Sequence, residues 1–263
     1  MGIHGKKICA IIEARMTSSR LPGKVLMDYC GKSNLEHIIE RLSRSSYLDD
    51  VVVATTINQT DEKIIELCEN KGIAYYRGSE EDVLLRVLDT AKSVEADIIV
   101  EITGDCPVID WRHVDYLIEF YFEKKVDYVS NIIERSFPRG FDVQVFSTEI
   151  LEKVNQMTQS PVDHEHVSLY IYTHPEIFTL ANWFAPIHLN HPEIEITLDT
   201  QADYELIREI YEVLYPQNID FSSADIMALL AKDERLNKLA QKKERVDAIK
   251  ARIEWDENDG KTI

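Results

Sequence analysis

Cysteine is scarce in this 263-residue chain: Cys9, Cys30, Cys68 and Cys106 lie far apart and form no CxxC pair. That spacing argues against a zinc cluster or a disulfide framework and predicts a protein of the reducing cytoplasm. Cys9 and Cys106 adjoin apolar runs, where a small buried thiol is the simplest reading. Long apolar stretches are missing too. None approaches the roughly 20 residues that span a bilayer, so no membrane helix is expected. The short run behind "MGIHGKK" passes straight into charged residues, so no secretory signal is expected either. Cations are in the minority, 29 Lys and Arg against 47 Asp and Glu, for a net charge of -18. A surface of that sign argues against binding long nucleic acid but leaves room for a small anion in a local basic pocket. With a hydrophobic fraction of 44%, the rest is ordinary for a globular protein with a substantial core.

What is present is an alternation of strand and helix patterns in the first half. "KICAIIEA", "DDVVVATT", "IAYYRG" and "ADIIVEIT" read as strands. "NLEHIIERLSRS", "TDEKIIELCENKG" and "EEDVLLRVLDTAKSVE" between them read as helices, by apolar spacing and by caps. Apolar strands alternating with helices predict a mostly parallel sheet covered on both faces, with ligands bound beyond the carboxyl ends of its strands. From about residue 134 to 192 the pattern changes to a half-exposed strand ("FDVQVFS"), a helix ("TEILEKVNQM") and a stretch rich in histidine and aromatics. This is expected to be an inserted α+β subdomain. "EIEITLDT" then reads as a strand ending in Asp199, followed by a helix from about Ala202 to Leu214. Residues 222–263 read as a charged helical segment.

The local charge inverts near the N-terminus. From Lys6 to Lys24 the chain carries Lys6, Lys7, Arg15, Arg20 and Lys24 against the single acid Glu13. Arg15, Arg20 and Lys24 share a loop with Thr17, Ser18 and Ser19 directly after the first strand. Arg suits bidentate contact with phosphate, so the loop can hold a polyphosphate. No GxxxxGK[ST] occurs, so it is not a P-loop; solvated surface cations are the other reading.

"AIIEARMTSSRLPGKVL" resembles the opening signature of the sugar cytidylyltransferases, which include the CMP-sialate and CMP-ketodeoxyoctonate synthetases. The match is nearest to the branch linked to spore-coat polysaccharide biosynthesis. "GSEEDVLLR", "ITGDCPVID", "PRGFDVQVF", "EHVSLYIY" and "ITLDTQADY" follow in the family's order, so the resemblance covers about residues 7–210. It implies a three-layer α/β/α, nucleotide-diphospho-sugar transferase-like (Rossmann-like) fold. It also implies transfer of CMP from CTP to an acidic sugar with release of pyrophosphate, and a homodimer. The alternatives are a nucleotide-sugar-dependent glycosyltransferase, although "DCP" is not a DxD metal motif, and a non-catalytic nucleotide- or sugar-binding protein.

By that resemblance Arg15, Arg20 and Lys24 stabilise the leaving pyrophosphate, and Asp105 and Asp199 hold Mg²⁺. Read from the residues alone, Asp105 is equally a turn or cap aspartate before Pro107. Asp110 and Asp203 read as caps of the helices that follow them. The nucleotide is expected on Ala14, Ser18, Ser19, Ser79, Glu80 and Thr103 besides these charges; Ser79 also reads as the cap of a helix starting at Glu80. The insertion, through Arg139, Asp142, Gln144, Glu165 and His166, is expected to line the acceptor pocket. His164, His166, His188 and His191 raise the question of zinc, but their spacing matches no standard site; structural histidines are the other reading.

Overall fold

The computed structural model describes residues 3–241. Its strands are β1 (Ile8–Glu13), β2 (Asp28–Tyr29), β3 (Lys32–Ser33), β4 (Asp50–Thr56), β5 (Ala74–Gly78), β6 (Ile98–Thr103), β7 (Tyr128–Ser130), β8 (Gln144–Ser147) and β9 (Leu180–Asn182). The helices in the first half are α1 (Asn34–Leu42), α2 (Glu62–Lys71), α3 (Val83–Ser93) and α4 (Trp111–Lys124). Those that follow are α5 (Thr148–Met157), α6 (Pro161–Glu165), α7 (Leu169–Thr173), α8 (Gln201–Leu214), α9 (Ser223–Lys232) and α10 (Glu234–Leu239).

Seven strands form one sheet in the order β5-β4-β1-β6-β8-β7-β9, and β2 and β3 make a separate small hairpin. Neighbours β5, β4, β1 and β6 run parallel; β8 is antiparallel to both β6 and β7, and β9 is parallel to β7. The apolar runs of the inner strands follow from burial on both faces. Along β1, Ile8, Ala10 and Ile12 pack with α1, α2 and α4. Cys9 and Ile11 pack on the other face with α3, α5 and α7. A third cluster gathers α8, α9 and α10 around Phe137, Phe141, Ile196 and Leu198. Each fully buried Leu, Ile or Phe of this kind contributes about 1.5–3 kcal/mol. Because β4 and β6 leave β1 in opposite directions, the chain reverses its order there and opens a crevice beyond the ends of β1 and β6.

Three expectations are corrected. Residues 134–192 do not stand apart from the sheet: β8 lies between β6 and β7, and β9 forms the edge beyond them. "EIEITLDT" is extended chain rather than a ladder strand. Among the described residues it pairs through isolated bridges, Arg139 with Glu195 and Ile194 with Gln241. The third helix starts at Val83, not Glu80. Asp82 is its cap, accepting from Leu85 N at 2.9 Å, while Ser79 Oγ accepts from Asp82 N. Arg86 holds the carbonyls of Ser79 and Glu80 and so keeps this turn out of the helix. Asp110 does cap α4, and Asp203 completes a capping box with Thr200 at the start of α8. Helices α9 and α10 begin the expected charged C-terminal segment; its remainder, 242–263, lies outside the described residues.

Helix α4 carries an acid-sensitive group. His113 is enclosed by Phe137, Phe141 and Trp183, with Nε2 3.0 Å from Ser223 Oγ, and burial pushes its pKa down to about 4. Between about pH 6.5 and 4 the unfolded chain therefore takes up a proton that the folded protein refuses, and stability falls as pH falls. In denaturant titrations at pH 7 and pH 4.5, His113→Phe should lose about 2 kcal/mol of the wild-type difference between the two. An undiminished difference would assign the pH dependence elsewhere.

Candidate active site

The loop after β1 has a fixed base. Met16 N donates to the buried Asp61 carboxylate at 2.8 Å, and Gly23 N closes the loop on Met16 O at 2.8 Å. Asp61 is itself held by the hydroxyls of Thr55 and Thr56 at the end of β4. The loop residues Ala14, Arg15, Ser18, Ser19, Arg20 and Lys24 thereby line a cleft of about 300 Å³ over the ends of β1 and β6. Arg15 reaches Glu80 Oε1 at 3.3 Å, and Thr17 and Asn58 also bond this carboxylate. Glu80 thus ties the loop to the chain before α3, and these bonds hold its pKa below the ordinary carboxylate range.

The second wall comes from the loop after β6. Leu198 N donates to Asp105 O at 2.8 Å, which brings the extended segment 194–199 against that loop. The two carboxylates converge there on one ammonium: Lys24 Nζ is 3.0 Å from Asp199 Oδ1 and 3.4 Å from Asp105 Oδ2. Arg20 meets the same Asp199 oxygen at 2.8 Å. Thr103 and Thr197 orient the other oxygens, Thr103 Oγ1 donating to Asp105 Oδ1 at 2.6 Å and Thr197 Oγ1 to Asp199 Oδ2 at 3.2 Å. Burial would lower the pKa of Lys24, but the two carboxylates outweigh it and the net shift is upward, so the side chain stays a cation.

The inner end of the cleft contains groups that the sequence reading passed over. Glu13 and Arg86 line it together with Val83. Glu13 lies on the sheet face of Cys9 and Ile11, beside the buried Glu101 of β6. Burial is the main cause that raises its pKa, to about 7, with the Arg86 charge opposing. Glu101 is raised as well, first by burial and then by the Glu13 charge. A visible signal existed for each: an acid ending an apolar strand on its inward face, and an arginine within the apolar stripe Val83, Leu84, Val87 and Leu88.

Glu165 and His166 reach the cleft from the end of α6, whereas three other residues expected at the acceptor pocket lie outside its lining. Arg139 pairs with Glu195 at 3.5 Å, and Asp142 takes a two-pronged bond from Arg135 at 2.8 and 2.9 Å. Gln144 is buried in β8, where Oε1 accepts from Tyr128 and Ser168 at 2.7 and 2.6 Å. Ser79 and Glu80 are not part of the lining; Arg86, which is, bonds the carbonyls of both. His164 bridges Asp82 and the Thr158 carbonyl, and His191 meets Glu193, so neither turns toward the other histidines.

A parallel sheet reversing at β1/β6, with arginines, a lysine and two carboxylates meeting beyond those strand ends, defines an α/β nucleotidyltransferase. The chain belongs to the cytidylyltransferase family, whose model matches residues 9–244. It is 32% identical over 228 residues to the spore coat polysaccharide biosynthesis protein SpsF of Bacillus subtilis, covering 85% of this chain and 93% of that one. It is 28% identical to the 3-deoxy-manno-octulosonate cytidylyltransferase of Geobacter metallireducens, over 71% of this chain and 82% of that one. The solved cytidylyltransferase of Leptospira borgpetersenii superposes with a TM-score of 0.83 at 30% identity, covering 92% of this chain and all of that one. The protein is thus a CTP-dependent nucleotidyltransferase. No helix among the described residues is long and apolar enough to cross a membrane.

Proposed function

We propose that the protein transfers CMP from CTP to an anionic, sugar-like acceptor in the cytoplasm, supplying a precursor for surface polysaccharide. The observation that carries this reading is the convergence of Arg20, Lys24, Asp105 and Asp199 at the sheet's switch point. The names of the Bacillus and Geobacter relatives support the acceptor class.

Charge bookkeeping supports a divalent cation. The cleft lining carries four cations (Arg15, Arg20, Lys24, Arg86) and four acids (Glu13, Asp105, Glu165, Asp199), so it is near neutral before a triphosphate enters. Mg²⁺ takes only one or two protein carboxylates, and Asp105 and Asp199 supply two. Asp105 and Asp199 would hold it; that both carboxylates pair with the Lys24 ammonium supports a preference for positive charge between them. When bound, Mg²⁺ neutralises and orients the triphosphate.

In the reaction the acceptor oxygen attacks the α-phosphorus and its bond to the β-phosphate oxygen breaks, releasing pyrophosphate. Arg15, Arg20 and Lys24 stabilise the charge moving onto that leaving group, and positioning and electrostatics supply most of the rate. Glu165 and His166 face the acceptor. A second copy of the chain covers part of 134–192, where Phe184 and Ile187 are left exposed close to the edge strand β9.

The test is pyrophosphate release from each of the four nucleoside triphosphates against a panel of acidic sugars, with and without Mg²⁺. The reading expects release with CTP, one acidic acceptor and Mg²⁺. Failure of CTP with every acceptor, alongside turnover of a nucleotide sugar, would make the protein a glycosyltransferase instead.

A further inference from the structure

Helix α6 is short, yet from its end Glu165 and His166 enter the lining of the cleft. The residue before them fixes the turn. His164 Nδ1 lies 2.8 Å from Asp82 Oδ1 and Nε2 lies 3.1 Å from Thr158 O, with the side chain 14% exposed. Both partners are acceptors, so the two bonds form together only when each ring nitrogen carries a proton. Asp82 caps α3 and Thr158 caps the end of α5, so this one side chain ties α6 to both helices. Thr158 is tied to α6 a second time, its Oγ1 donating to the buried Asp163 at 2.5 Å. Directly after His166 the chain turns through Val167, buried at a φ of 47°, a left-handed conformation that β-branched residues seldom adopt. A turn of that kind persists only where its surroundings hold it.

We propose that His164 is a positioning residue for the transfer reaction: its bridge between Asp82 and the Thr158 carbonyl sets α6 against α3 and holds Glu165 and His166 in the wall that meets the acceptor. This rests on the acceptor reading of that wall and deepens it by naming the group that keeps the wall in place. His164 is not part of the cleft lining, so its effect passes through the two residues that follow it. Loss of either bond leaves an acceptor unpaired and frees the turn at Val167 to relax, which moves Glu165 and His166. The cluster of Arg20, Lys24, Asp105 and Asp199 is held by its own ion pairs and stays where it is. Weaker use of the acceptor with unchanged use of CTP is the expected signature.

The experiment compares wild type with His164→Gln, whose single amide nitrogen cannot reach both acceptors, and His164→Arg, which has several donors and no acceptor. Pyrophosphate release is measured on the full chain with CTP, Mg²⁺ and ketodeoxyoctonate as the acceptor probe, with thermal melting to confirm folding. His164→Gln should raise the KM for the acceptor by about tenfold and leave the KM for CTP within about twofold of wild type. His164→Arg should recover most of that loss. A KM that moves for CTP instead, or an Arg variant no better than Gln, would overturn the inference. Hydrogen exchange is a second measurement that needs no acceptor: the amides of residues 161–167 should exchange faster in His164→Gln, and unchanged exchange would overturn the inference too. If wild type turns over neither ketodeoxyoctonate nor any other acidic sugar, the acceptor reading itself fails, and the exchange result alone decides the bridge.

Discussion

Asp199→Asn should reduce pyrophosphate release by roughly a thousandfold or more while the protein stays folded. Asp199 is 2% exposed and carries the charge on which Arg20 and Lys24 both converge. Asparagine keeps the shape and one acceptor oxygen but removes the negative charge. Lys24 then has only the Asp105 carboxylate at 3.4 Å, Arg20 loses its charged partner, and the expected cation site keeps a single carboxylate. Two cations and a metal would be misplaced together, so the loss should exceed that of any one contact. The fold should tolerate the change. Thr197 and Lys24 can still bond the amide, so a loss of about 1–2 kcal/mol leaves most of a typical domain's stability in place. Turnover and thermal melting on the same preparation separate the two effects. Near-normal turnover in the folded variant would remove Asp199 from the reacting centre.

The second large effect is expected from a single methyl group. Gly104 lies between Thr103 and Asp105, where a Cβ would sit 2.5 Å from the Glu13 carbonyl oxygen. The contact cannot yield cheaply, because the atom met at 2.5 Å is backbone. Gly104 N donates to that same oxygen at 2.9 Å, and Gly104 O accepts from the buried Asn34 side chain at 2.7 Å. Gly104→Ala must therefore push the β6 loop away from β1, carrying Asp105 off Lys24 and Glu13 off the cleft wall. A shift of even an ångström at reacting groups costs on the order of a hundredfold in rate. We expect activity to fall at least about that far, with roughly 2–4 kcal/mol lost in denaturant titrations. Wild-type activity and stability in this variant would show that the two loops are not held in contact.

Much of the scaffold was legible because burial leaves a mark on composition. The runs "ICAII", "VVVAT" and "IIVEI" are apolar at nearly every position because helices cover both sheet faces. Helices α1 and α3 show their inward stripes just as plainly. Strand β8 was harder to place. "FDVQVFS" alternates as a half-exposed strand would, yet Gln144 is polar because it bonds Tyr128 and Ser168 in the interior, not because it meets water. Alternation reports polarity, and a satisfied buried amide imitates exposure. Asp199 was legible only through the family resemblance: its segment forms single bridges instead of a ladder, and its partner Lys24 is 175 residues away in the chain.

By itself the sequence determined the strands and helices of the alternating first half and which loop carries the cations, since local apolar period, caps and charge are properties of neighbouring residues. It also placed Arg15, Arg20, Lys24, Asp105 and Asp199 in loops or at the end of an extended run. Only the tertiary structure decided that Asp105 and Asp199 share one ammonium and that Arg139, Asp142 and Gln144 lie outside the lining of the cleft. It alone brought Glu13 and Arg86 into the lining of one cleft. Those relations depend on the direction of a side chain leaving a packed backbone and on contacts between distant segments. The free energy that sets them is the burial and pairing of groups that no local window of sequence contains.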